Sequence, residues 1–78
     1  MTLTLDDMRA DLAAALDLPP DAIGMEDNVY DLGLDSMRLM ELMLKWEGAG
    51  VAIDYGVLSE RLTLAAWWAE AERLQSGA

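Results

Sequence analysis

The segment Asp31-Leu32-Gly33-Leu34-Asp35-Ser36-Met37, followed by the apolar run Leu39, Met40, Leu42, Met43, Leu44 and Trp46, decides the reading of the chain. Glycine permits a tight turn, aspartate caps a helix, and apolar residues recurring at three and four begin one, so Ser36 stands in a helical first turn. A hydroxyl in that place is exposed and easy for another enzyme to reach. The 78 residues include no cysteine and no histidine, and no Gly-rich phosphate loop, so nothing in the chain activates that hydroxyl as a nucleophile. Ser36 therefore reads as a group that is modified and not as one that attacks. No residue is assigned a catalytic or a metal-binding role.

Size and composition agree with a passive part. The length allows one small domain, residues 1–78, whose stability depends on dense apolar packing because no disulfide is available. An apolar fraction of 54% can supply that packing. No stretch approaches the roughly 18 uninterrupted apolar residues of a membrane span, and the start Met1-Thr2-Leu3-Thr4-Leu5-Asp6 lacks the basic region of a signal peptide. The expectation is a cytoplasmic monomer. Fifteen acidic residues against five basic give a net charge of -10, which argues against nucleic acid and anionic membrane surfaces, both of which are bound through lysine and arginine. Such acidity suits docking on basic patches of larger proteins, and equally suits simple solubility.

The expected fold is all-α: three main helices and one short one, with a long loop between the first two. Thr4 caps the first helix, with Asp6 and Asp7 near its positive end; Leu5, Met8, Leu12, Ala15 and Leu16 form its apolar stripe, and Pro19-Pro20 stop it. The connection from Leu18 to Leu34 is long enough to expect a function, and its Ile23, Val29, Tyr30 and Leu32 are apolar enough to pack over the helices. Asp35 caps the second helix, which Gly48 and Gly50 end. Leu39, Met43 and Trp46, with Leu42 beside them, are expected in the core. Met37, Met40 and Leu44 fall on the other side, as an exposed strip near Ser36. Val51, Ile53 and Tyr55 alternate as an extended connector, Gly56 to Glu60 form a short helical turn, and Thr63 caps a last helix with Leu64, Trp67, Ala71 and Leu74 inward. Gln75 to Ala78 is expected to fray.

Gly33-Leu34-Asp35-Ser36-Met37-Arg38 resembles the prosthetic-group attachment motif of acyl and peptidyl carrier proteins, and the order of elements matches that family along essentially the whole chain. Together with Thr63-Leu64-Ala65-Ala66-Trp67-Trp68 it is most similar to the aryl and aminoacyl carriers of nonribosomal peptide and hybrid polyketide pathways. Fatty-acid carriers show Ala-Asp-Ser-Leu and a second helix thick with glutamates, whereas this helix has only Glu41 and Glu47 beside Arg38 and Lys45.

The resemblance implies that a phosphopantetheinyl transferase, using coenzyme A and magnesium, joins 4'-phosphopantetheine to Ser36 as a phosphodiester, with Asp35 orienting the serine. The arm's thiol then carries an aminoacyl, aryl or acyl group as a thioester, and every chemical step belongs to visiting enzymes. The implied partners are an adenylating enzyme acting in trans, or alternatively an acyltransferase drawing on an acyl-coenzyme A, and a condensing enzyme. A shared, weak docking face is assigned to Leu34, Asp35, Met37, Arg38, Met40, Glu41, Leu44 and Glu47, although Glu47 has the simpler alternative of offsetting Lys45. Two rivals come from other classes. A calcium loop is suggested by the cluster Asp27, Asp31 and Asp35, but counted from Asp31 it has its glycine too early and Leu42 at the closing position. An acidic helical adaptor domain would leave Ser36 an ordinary first-turn serine.

Overall fold

The structure, a computed structural model, describes residues 2–76. It contains α1 (Leu5–Leu16), a single 3-10 turn (Pro20–Ala22), α2 (Ser36–Gly48), the short α3 (Tyr55–Glu60) and α4 (Leu64–Gln75), with no strand among the described residues. This is the all-α arrangement of three main helices and one short one.

Each of the three main helices starts where a side chain can take up a free amide. Thr4 and Asp7 form a reciprocal capping box at α1, Asp35 accepts from the Arg38 amide at α2, and Thr63 accepts from the Ala66 amide at α4. Leu3 and Met8 flank the first of these caps and are both buried, the positions at which an apolar pair fixes the angle of chain entry.

The prolines do not stop α1. Asp17 does, by turning left-handed at φ 56, a conformation that aspartate tolerates better than most residues. Its amide and that of Leu18 then close on the carbonyls of Ala14 and Ala13, so two of the terminal carbonyls of the helix are satisfied before the prolines are reached. Pro20 instead begins the 3-10 turn, where its fixed φ and missing amide cost nothing.

Trp46 of α2 and Trp67 of α4 meet edge to face at the centre, with ring centroids 5.9 Å apart. Both indole N–H groups have acceptors: Trp46 Nε1 donates to Asp11 Oδ2 at 3.0 Å, and Trp67 Nε1 to the Leu58 carbonyl at 3.1 Å. Burying two large rings with their polar edges satisfied adds to the dense apolar core on which a small domain without a disulfide depends. Leu39, Leu42 and Trp46 are the buried residues of α2, and Met43 is only half-buried beside them. On α1 the last turns bury Leu12, Ala13 and Leu16, with Ala15 half-buried. Val51 and Ile53 point inward and Ala52 and Asp54 outward, the alternation expected of the extended connector.

Two expectations for α4 fail. Leu74 is exposed, because the core contacts of α4 end at Ala71. Gln75 is not frayed: its side-chain amide pairs with the backbone of Leu3, accepting at 2.7 Å and donating at 2.8 Å. That pair ties the chain before α1 to the end of α4. Gly77 and Ala78, also expected to fray, lie outside the described residues.

Candidate functional site

The loop ahead of α2 is closed by its own backbone. Val29 is fully buried; its amide donates to the Leu62 carbonyl at 2.9 Å, and its carbonyl accepts from Leu34 at 3.1 Å. Between these two anchors, Asn28 Oδ1 accepts from the amides of Tyr30 and Asp31, and the Gly33 amide returns to the Tyr30 carbonyl. Gly33 has φ 115, a value open to glycine and costly for any residue with a Cβ. The turn therefore delivers the chain to Asp35 in one defined direction.

Asp35 is the cap, its Oδ1 2.8 Å from the Arg38 amide. The carboxylate is thereby occupied in holding the helix start. Ser36, the first residue of α2, is exposed. Its amide and that of Met37 lie in the first turn, where a helix has no internal acceptor, and neither finds one among the described residues. Two unpaired N–H groups and the positive end of the helix dipole thus lie beside the Ser36 hydroxyl, which is the environment a phosphate ester needs. On this ground the residues fit a phosphopantetheine linked at Ser36.

One neighbour of the serine is not evident from the sequence as part of the site. The phenolic hydroxyl of Tyr30 lies 3.4 Å from Ser36 Oγ. From the sequence Tyr30 read only as an apolar loop residue. The signal that could have found it is the Asn28 side chain, two residues before Tyr30, which together with Gly33 folds the loop back on itself.

The expected docking residues divide. Met37, Met40 and Leu44 are 76%, 44% and 57% exposed, and their spacing of three and four places them on one face of α2. Asp35, Glu41 and Glu47 are exposed as well. Leu34 is not at the surface: at 4% exposure it belongs to the core, because its amide is pulled back onto Val29. Arg38 is exposed, yet its guanidinium Nη1 donates to the Ala15 carbonyl at 3.0 Å and so braces α2 against the last turn of α1. Lys45 pairs with Asp11 at 3.1 Å, which leaves Glu47 free of the role of offsetting it. The carboxylates that suggested a calcium loop do local work: Asp27 accepts from the Gly24 amide and Asp35 from that of Arg38.

Comparison with known proteins adds a family. The model described as "Phosphopantetheine attachment site" matches residues 6–69. Acyl carrier protein ScoB of Streptomyces coeruleorubidus is 38% identical over 76 residues, covering 97% of this chain and 89% of ScoB. Phenyloxazoline synthase MbtB of Mycolicibacterium paratuberculosis is 37% identical over 62 residues, 80% of this chain but 5% of the synthase. Enterobactin synthase component B of Escherichia coli K12 is 42% identical over 43 residues, 55% of this chain and 15% of that protein. No solved structure matches the chain.

Proposed function

The chain belongs to the phosphopantetheine-attachment family of carrier proteins, and from that premise we propose that Ser36 is the residue to which the arm is joined. The protein is a carrier of nonribosomal peptide and polyketide type, and 4'-phosphopantetheine is its prosthetic group. When bound, that group supplies a thiol that holds a carboxylic acid as a thioester. What the chain itself contributes is an acceptor and a grip. In the attachment reaction the Ser36 hydroxyl loses its proton to the transferase and bonds to phosphorus, as the pyrophosphate link of coenzyme A breaks and adenosine 3',5'-bisphosphate leaves. The Ser36 and Met37 amides then face the new phosphodiester anion.

The observation that carries this reading is the exposed Ser36 Oγ at the first residue of α2, beside two amides with no acceptor among the described residues. Ser59 and Ser76 lack that setting, since their hydroxyls donate to the carbonyls of Gly56 and Arg73. Incubation with coenzyme A and a promiscuous transferase is expected to add one phosphopantetheine to the intact mass. Ser36→Ala should abolish that gain and leave the helical signal unchanged. An alanine variant that still gains the arm sinks the assignment.

Carriers work with synthetase and transferase partners. For this chain we take residues 1–78 as one domain without catalysis of its own, loaded in trans by an ATP-using adenylating enzyme and unloaded by a condensing enzyme. Its docking face is Met37, Met40 and Leu44 with Asp35, Glu41 and Glu47 around them; Leu34 leaves that set, and Arg38 contributes through its brace to α1. Loading from an acyl-coenzyme A without ATP would point to an acyltransferase instead. No helix among the described residues is long and apolar enough to cross a membrane, and we place the protein in the cytoplasm as a monomer.

A further inference from the structure

Among the described residues, one side chain has a polar atom within hydrogen-bonding distance of Ser36 Oγ, and it is Tyr30. Asp35, the nearer candidate by sequence, is turned to the Arg38 amide. We propose that Tyr30 is a positioning residue for the modification: its hydroxyl holds the Ser36 hydroxyl in the orientation that accepts the phosphoryl group, and afterwards donates a hydrogen bond to the phosphodiester. This inference rests on Ser36 carrying the arm.

The placement of the phenol follows from the backbone. Val29, the residue before Tyr30, is pinned to Leu62 and Leu34. The Tyr30 amide donates to Asn28 Oδ1 at 2.9 Å and its carbonyl accepts from Gly33 at 3.1 Å, so both backbone polar groups of Tyr30 are committed. The ring is half-buried against the core. A side chain held at its backbone and along its ring has already lost most of the freedom that a new hydrogen bond would otherwise cost. Closure of residues 29–34 on themselves then brings the Tyr30 hydroxyl back over the first residue of α2.

The chemistry fixes the direction of the contact. In the unmodified protein either hydroxyl can donate. A phenol that donates to Oγ leaves the serine proton pointing outward, where a base on the transferase can take it as the oxygen bonds to phosphorus. After transfer the serine oxygen has no proton, so only the phenol can donate, and the charged non-bridging oxygens of the phosphodiester offer it a stronger acceptor than a neutral hydroxyl. The contact therefore favours the modified state over the unmodified one.

Tyr30→Phe removes the hydroxyl and keeps the ring. With coenzyme A and a promiscuous transferase, followed by intact mass, kcat is expected to fall about fivefold at unchanged KM, the size of one ordinary hydrogen bond. The phosphorus-31 resonance of the modified variant should be displaced from that of the modified wild type, a readout that ring packing does not move. The melting temperature should stay close to that of the wild type. Asn28→Ala, which loosens the turn without touching the phenol, should lower kcat in the wild-type background and add nothing further to Tyr30→Phe. A wild-type kcat and an unmoved phosphorus resonance for Tyr30→Phe would overturn the proposal, as would a loss confined to KM, which marks a docking contact, or Asn28 and Tyr30 effects that simply multiply. Wild-type protein that fails to gain the arm on Ser36 sinks the parent reading instead.

Discussion

Gly33 and Gly48 lie at opposite ends of the segment that presents Ser36, and the same substitution should act on them with opposite sign. At Gly33 a new Cβ would meet nothing nearer than Leu16 Cδ2 at 4.0 Å. Space is therefore not the obstacle; the positive φ of 115 is. Placing a side chain on backbone of that kind costs about 1–2 kcal/mol. At Gly48 the backbone is helical and a Cβ meets nothing within 4 Å, so alanine gains about 0.5–1 kcal/mol by restricting the unfolded chain. For a domain of this size each kcal/mol moves the melting temperature by about 6 °C. Gly33→Ala should accordingly melt about 6–12 °C lower and Gly48→Ala about 3–6 °C higher, as followed by circular dichroism at 222 nm. The double variant should fall near the sum, since the two sites share no contact. If Gly33→Ala melted with the wild type, the turn would not need its left-handed backbone, and the argument that it aims the chain at Ser36 would fail.

Met40→Glu should slow transfer to several partners by about tenfold, the cost of a charge in an apolar contact, while barely moving the melting temperature, because Met40 is already 44% exposed. A variant that unfolds, or one loaded and unloaded at wild-type rates, would remove Met40 from the docking face. Glu47→Lys should weaken partner encounter at low salt and lose its effect at high salt. Gln75→Ala removes both bonds to Leu3 and should cost about 1–2 kcal/mol of stability with no change in arm attachment; an unchanged melt would show that the clasp is not formed in solution.

What could be read from the sequence is what short-range chemistry dictates. Thr4, Asp35 and Thr63 begin helices because each offers an oxygen to an amide three residues on, and that relation is local. The exposed strip of Met37, Met40 and Leu44 follows from spacing alone. The failures have another origin. Leu34 reads as a surface residue because it stands just before the Asp35 cap, whereas a backbone bond to Val29 turns it inward. Arg38 and Gln75 are polar residues on helix surfaces, and nothing local announces that one reaches Ala15 and the other Leu3. Tyr30 belongs with them: its nearness to Ser36 is made by loop closure, which periodicity does not report.

Those long-range bonds also explain how a small acidic domain presents one usable face. Both cations of α2 are spent on α1, Arg38 on a carbonyl and Lys45 on Asp11. Their Cα positions are seven apart, two helical turns, so they brace the same side of α2. On another side, Glu47 lies seven residues beyond Met40 and continues the line of the exposed methionines, with Glu41 between that line and the braced cations. The strip next to Ser36 is consequently apolar at its centre and negative at its margin, although the helix carries as many cations as carboxylates in its sequence. Apolar contact at the centre gives adhesion that any methionine-compatible pocket can share, and a negative margin orients a basic partner without adding much to its hold. A carrier that must be released after each visit needs both, and in this chain the division between them is set by which charges α1 has already taken.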